Sequence, residues 1–515
     1  MRSKLYQVAF LLICVSLLAT VLNIQGKGLP TTSQKVEIPD TIDVTYALSE
    51  PINTLDPAAA NNLGEAKVLA NIYEGLVRWQ PDANSIEPCL ATSWQVSEDG
   101  CSWTFHLRQD VTFHDGSPFN AAAVKFSVER QLPPQKKDNM AYGSFTFGMV
   151  KAVEVLDDYT IKFVIKAPYS PFLRNLAMPW AAPIVSPTKL TGTGPFYLAK
   201  WQDKSPILVA NENYWGTKPQ VKTIAFTFVP AEQRLAKLQG DEVFIADLAH
   251  PGKSKLEADN LQHIGRPAAS VGYLGLFNNR KPFNHDKVRR AVCMAIDAKA
   301  VAQALYGNPA LAANSLLPPN LLGYHKDLHP YSGGTQKAKE LLKNYGYPNG
   351  LDITLITYQT TRPYNPLGGE ALAELIKKQL APAGIRVTVK AYPWHQFKTA
   401  LRNQEGDAFL FGWAGDNLDP DNFMYTLLAS SEIPHTNLVH YKNSEVDRLI
   451  SAAQGEPEEQ IRQRLYFHAQ QIMLQDTPMV FLNYGQDSLV LSKKLKDVQL
   501  NPYGIPLFSS AYIAS

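Results

Sequence analysis

The chain has 515 residues, 45% of them apolar and 19% charged, with a formal net charge of +2. That length exceeds what one hydrophobic core covers and implies two or more lobes. Acidic and basic residues are mixed throughout, which excludes the electrostatic footprint of a nucleic-acid binder.

Arg2 and Lys4 precede a nearly uncharged run from Leu5 to Ile24, the charged-then-apolar order of a secretion signal. The run of about 20 residues is also long enough to span a bilayer, and no Ala-x-Ala cleavage site follows it. Residues 1–26 are therefore expected to be a signal peptide or an uncleaved anchor, either of which exports the rest of the chain. Residues 27–42, rich in Thr, Pro, Lys and Ser, read as a tether.

From Asp43 to about Leu248 the sequence favours strands. Residues 43–48 alternate, and Thr160–Ile165 and Thr223–Phe228 are rich in β-branched and aromatic residues. Trp94-Gln95-Val96 and Trp103-Thr104-Phe105 flank Ser97-Glu98-Asp99-Gly100, a hairpin signal. Cys89 and Cys101 bracket that hairpin, and a disulfide between them is expected of an exported chain. From Asn284 to Gly307 the apolar positions Val288, Ala291, Val292, Ala295 and Ile296 follow helical spacing. Asn284 is the expected cap and Gly307 the stop. A βαβ unit follows: strand Leu351–Tyr358, helix Gly369–Leu380, strand Ile385–Tyr392. Farther on come a helix over Glu458–Gln475, a strand over Met479–Leu482 and a further strand-like stretch over Ser488–Leu491.

The apolar run Ala408-Phe409-Leu410-Phe411 lacks alternation, as expected of a strand covered on both faces. It opens into Gly412-Trp413-Ala414-Gly415-Asp416-Asn417-Leu418-Asp419-Pro420-Asp421-Asn422-Phe423. The carboxyl end of such a strand is where open α/β sheets hold ligands. The strand Leu351–Tyr358 ends likewise in Thr360-Thr361-Arg362-Pro363-Tyr364-Asn365-Pro366. Arg362 offers a planar fork suited to a carboxylate, and Asp416 offers the opposite charge. If both end adjacent strands, they face one crevice and fit a zwitterion. An extended dipeptide spans roughly 7 Å, and a charge-assisted hydrogen bond adds about 3 Å at each end. The two side chains should then stand too far apart to pair with each other. Trp394, Trp413, Tyr358 and Tyr364 are either walls of such a pocket or core residues at strand ends. Enzyme signatures are missing: the eleven His residues form no His-Glu-x-x-His pattern, no Gly-x-Ser-x-Gly occurs, and Gly192-Thr193-Gly194 lacks the third Gly of a dinucleotide turn. No metal site and no cofactor are expected.

Several motifs carry a resemblance. They are Asn71-Ile72-Tyr73-Glu74-Gly75-Leu76, Pro88 to Trp94, Gly192 to Phe196, Tyr214-Trp215-Gly216, Val271 to Leu274, Val288 to Ala291, Arg362 to Pro366 and Gly412 to Phe423. In this order and spacing the chain, from about Asp43 onward, resembles the family 5 extracellular solute-binding proteins that serve ABC-type peptide importers, above all their dipeptide-binding members. The resemblance implies an α/β fold of two lobes, type II-like, with an extra subdomain in the first lobe and a hinge between lobes. Residues 43–271 would form lobe I, 272–483 lobe II, and 484–515 a return to lobe I. It also implies that Asp416 holds the ammonium of a short peptide and Arg362 its carboxylate, with Tyr364, Asn365, Trp413, Gly415, Asn417, Trp394 and Tyr358 around them. The implied role is capture of short peptides in the periplasm by a monomer. Delivery to a permease with ATPase subunits would follow, with no chemistry. Haem or antimicrobial peptides on the same fold, or an anchored peptide sensor or chaperone, are the alternatives. The chain departs from the resemblance in lacking both of the family's disulfide pairs, for which Cys89–Cys101 would be a local substitute, and in a shorter segment before Gly192.

Overall fold

The computed structural model describes residues 41–81, 85–140, 142–248 and 260–514. The expected signal peptide or anchor, and the tether up to residue 40, lie outside the described residues. Among the described residues, no helix is long and apolar enough to cross a membrane.

The central sheet has ten strands. They are β1 (Val44–Leu48), β2 (Phe196–Gln202), β3 (Ser205–Ala210), β4 (Thr223–Phe228), β5 (Ile245–Asp247), β6 (Leu261–Leu276), β7 (Leu351–Tyr358), β8 (Ile385–Tyr392), β9 (Ala408–Ala414) and β10 (Met479–Ser492). Their spatial order is β8-β7-β9-β6-β10-β5-β1-β4-β3-β2. The expected βαβ unit is present with its boundaries, because apolar runs are cut by Gly350 and Gly384, both at positive φ. β7 and β8 pair in parallel from Leu351↔Ile385 to Tyr358↔Tyr392, and β7 pairs in parallel with β9 at Leu355↔Ala408 and Ile356↔Phe409. The helix Gly369–Leu380 buries Leu372, Ile376 and Leu380 against these strands. Burying each such side chain stabilises the fold by about 1.5–3 kcal/mol.

The long strands β6 and β10 lie antiparallel at the centre. Leu261–Pro267 pairs with Gln486–Ser492, and Val271–Gly275 pairs with Met479–Tyr484. Between Pro267 and Val271 the register shifts, so the ladder is interrupted there. A second sheet of four strands, Ala91–Val96, Ser102–Leu107, Thr160–Ile165 and Val150–Asp157 in spatial order, lies earlier in the chain.

Three expectations are corrected. The segment 284–307 is two helices, Asp286–Ala295 and Ala298–Tyr306, with Ile296 extended between them. Asp297 accepts from the amides of Lys299 and Ala300, so its carboxylate starts a second helix instead of continuing the first. His285 caps the first helix in place of Asn284, while Gly307 ends the second in the left-handed region as expected. The two strands expected around 479–491 are one, since Asn483 to Asp487 stay extended inside β10. Cys89 and Cys101 are not bonded: Cys89 is a buried free thiol and Cys101 a half-buried one. The hairpin explains this, because Val96 pairs with Trp103 next to the turn and Ala91 pairs with Leu107 at the far end. Cys101 sits at the turn and Cys89 beyond the far end, roughly 20 Å away at the strand rise of about 3.3 Å per residue, whereas a disulfide needs Cα atoms within about 7 Å.

Candidate functional site

Because β7 and β9 run in parallel, the loops that follow them leave the same edge of the sheet. After β7 the chain closes a tight turn in which the Arg362 amide donates to the Asn365 carbonyl (2.9 Å) and the Asn365 amide donates to the Arg362 carbonyl (2.8 Å). Asn365 is buried and donates from Nδ2 to the Tyr358 hydroxyl (3.0 Å), and Asn483 Nδ2 holds the Tyr364 carbonyl (3.0 Å). The turn therefore presents Arg362 from a fixed base. Its guanidinium lies over the Trp394 ring, 3.3 Å from the centroid, with Tyr358 at 5.9 Å. Trp394 in turn stacks nearly parallel on Phe411 of β9. The only hydrogen-bond acceptor that the Arg362 side chain reaches among the described residues is Thr360 Oγ1, at 3.3 Å. Among the described residues no carboxylate pairs with it, and its charge lies against aromatic faces.

After β9 the chain passes close to that turn. Gly412 packs under the Tyr364 ring, where a Cβ would collide with the ring and with the Val271 carbonyl. Gly415 donates to the Ala269 carbonyl of β6 at 2.8 Å. Asn422 Oδ1 accepts from Trp413 Nε1 (2.9 Å) and from the Asp416 amide (3.3 Å), which fixes the direction of the Asp416 side chain. Tyr142 donates its hydroxyl to Asp416 Oδ1 at 3.1 Å. Burial pushes the Asp416 carboxyl up to about 6, with the Tyr142 hydrogen bond opposing the rise. No Lys or Arg pairs with Asp416 among the described residues.

Asp416 and Gly415 line a cavity of about 220 Å³ together with Pro363, Ser270, Asp487 and the rings of Tyr142, Trp180 and Tyr503. Arg362 itself is not in the cavity lining, although its chain neighbour Pro363 is. Tyr358, Tyr364 and Asn365 lie buried behind the wall, Trp394 is the platform under Arg362, and Trp413 braces the loop. Asn417 is fully buried and donates to Asn175 Oδ1 at 2.7 Å, outside the cavity lining. The sequence reading missed Tyr142, Trp180, Ser270, Asp487 and Tyr503. Only Asp487 carried a signal, as part of the polar Gly485-Gln486-Asp487 interruption in an apolar strand.

The other two acids of the loop are structural. Asp419 is fully buried and accepts from Arg462 Nη1 (2.8 Å) and Nη2 (2.5 Å), with Arg174 Nε at 3.3 Å. Burial alone would raise its carboxyl, but Arg462 and Arg174 hold it below the usual range. Arg174 also donates to the Leu418 carbonyl at 2.9 Å. Burial and the neighbouring Asp419 push Asp421 up to about 7. The loop is thus pinned by two guanidiniums, and Asp416 alone of its acids lines the cavity.

Residues 85–435 match the family model for bacterial extracellular solute-binding proteins, family 5, middle. The chain belongs to this family. This family 5 protein is similar to the dipeptide-binding protein of Escherichia coli (strain K12), 33% identical over 477 residues that cover 86% of this chain and 89% of that one. It is 32% identical over 471 residues to heme-binding protein A of Haemophilus influenzae, covering 85% and 86%. Among solved structures it resembles HbpA2 from Haemophilus parasuis (TM-score 0.85, 28% identity, 92% of this chain and 100% of that one). It also resembles DppA from Helicobacter pylori in complex with the peptide STSA (TM-score 0.73, 31% identity, 92% and 98%). The fold is accordingly the two-lobed α/β fold of periplasmic binding proteins.

Proposed function

We propose that this family 5 protein captures short peptides, dipeptides first, by clasping the ammonium on Asp416 and the carboxylate on Arg362. One observation carries the reading: a carboxylate that lines a cavity and a guanidinium one residue from its lining follow the carboxyl ends of parallel neighbouring strands, and neither has a salt-bridge partner among the described residues. An unpaired desolvated charge is costly, and a zwitterionic guest relieves both at once. The similarity to proteins named for dipeptide and di/tripeptide binding supports the same ligand class. In this reading the protein works in the periplasm as a monomer and hands its ligand to an ABC permease with ATPase subunits. Residues 43–271 and 484–515 form one lobe and 272–483 the other, with β6 and β10 crossing between them near Val271 and Tyr484. Binding without covalent chemistry fits a family of solute-binding proteins. Haem is the second reading, favoured by the similarity to heme-binding protein A.

Calorimetric titration tests the reading. Ala-Ala is expected to bind, while N-acetylated and C-amidated Ala-Ala lose most of that affinity. Mixing with haemin is expected to leave its Soret band unshifted. Affinity for Ala-Ala should fall as the pH drops through about 6, where Asp416 becomes neutral, and stay level above it until the peptide ammonium titrates near about 8. In the empty protein the sign is opposite. The folded state binds this proton more tightly than the unfolded one, so Asp416 costs stability as the pH rises from about 4 to about 6. Equal affinity for free and doubly blocked peptide would refute the proposal. Arg362→Lys keeps the charge but loses the fork and much of the stack on Trp394, and a roughly tenfold weaker Kd for Ala-Ala is expected by calorimetry.

A further inference from the structure

We propose that the cavity selects peptides with a second positive charge, a Lys or Arg side chain on the amino-terminal residue, and that Asp487 receives it. The inference rests on the peptide reading above and adds to it the class of side chain preferred.

Asp487 of β10 lines the same cavity as Asp416, and no Lys or Arg does. A single peptide ammonium therefore answers only one of two carboxylates. Among the described residues the Asp487 carboxylate makes no hydrogen bond and no ion pair within 4 Å. It feels the fields of Arg266, which stands opposite it in the β6–β10 ladder, and of Lys67. Lys67 is already committed to Asp247 at 2.6 Å. Burial pushes the Asp487 carboxyl up to about 6 in spite of both cations, as it does Asp416.

Ser270 borders the same cavity and is only 2% exposed; its hydroxyl is turned onto Gly485 and has no hydrogen-bond partner among the described residues. Gly485 leaves the space that this hydroxyl takes, since a Cβ there would collide with it. The remaining walls suit a cation as well. Trp180, Tyr503 and Tyr142 line the cavity in T-shaped pairs (4.8 Å between the Trp180 and Tyr503 centroids, 6.3 Å between those of Trp180 and Tyr142), and aromatic rings attract an ammonium or guanidinium.

The test is a calorimetric comparison, on the purified full-length protein, of Lys-Ala, norleucyl-Ala and Ala-Lys. Norleucine matches the Lys stem without its charge. Lys-Ala is expected to bind about tenfold or more tighter than norleucyl-Ala, with no such gain for Ala-Lys. Asp487→Asn should erase the preference, bringing the Lys-Ala to norleucyl-Ala Kd ratio to near one whatever change the two Kd values share. Asp487→Ser serves if the Asn variant does not fold, and the wild-type ratio needs no variant. A wild-type ratio near one, an equal gain for Ala-Lys, or a preference that survives loss of Asp487 overturns the inference while leaving peptide capture intact. If none of the three peptides binds, the peptide reading fails and the inference goes with it.

Discussion

Asp416→Ala is expected to weaken dipeptide binding by about 30-fold or more. Removing one partner of a desolvated charge pair costs about 2–5 kcal/mol, and each 1.4 kcal/mol is about tenfold in Kd. The upper part of that range applies if the peptide ammonium has no other anion in reach. Asp487 shares the cavity and can take over part of the role, which places the expectation nearer the lower end for neutral peptides. Asp416→Asn keeps an acceptor for the Tyr142 hydroxyl but removes the charge, so it should lose nearly as much as the Ala variant. Neither change should lower the stability of the empty protein, because burial already disfavours this carboxylate. Calorimetry on both variants, beside thermal melts of the ligand-free forms, separates loss of binding from loss of fold. Parental affinity in Asp416→Ala would end the assignment.

Asp419→Ala should have the larger effect on stability, about 3–5 kcal/mol, the usual cost of removing one partner from a buried ion pair. The substitution leaves the Arg462 guanidinium, whose side chain is 3% exposed, facing a void. It also strips Arg174 of a carboxylate that it reaches at 3.3 Å. Asp241→Ala is the control. Its pair with Lys494 is 2.9 Å long but lies on the surface, with side chains about half exposed, and exposed pairs contribute about 0–1 kcal/mol. Denaturant unfolding should show a clear drop in midpoint for the first variant and almost none for the second. Similar midpoints would mean that the Asp419 cluster does not pin the loop. Because Asp416 lies three residues before Asp419, some loss of peptide affinity should accompany the loss of stability.

The parts of the fold that could be read from the chain were those decided locally. β7, the helix after it and β8 are unbroken apolar patterns closed by turn residues, and their ends agree with the structure to the residue. The break at Asp297 was not legible, because one acid in a helical pattern looks the same whether it faces solvent or caps a new helix. Arg362 and Asp416 were legible as strand-end residues of opposite charge. Tyr142, which bonds Asp416 from 274 positions away, and Ser270 were not, since no local pattern marks a residue that only the tertiary fold brings to the cavity. The disulfide expectation failed for a related reason. Two Cys residues twelve positions apart are close in sequence, but a hairpin whose turn lies beside one of them carries the other to its opposite end.

The missing rungs between Pro267 and Val271 sit where β6 passes Ala268, Ala269 and Ser270, all of which line the cavity. On its β10 side β6 has the fewest cross-ties here, so in the lobe motion proposed above the joint would lie beside the cavity. Under the proposed peptide capture, cargo would then press on the joint directly, and no separate relay would be needed to tell the molecule that it is full.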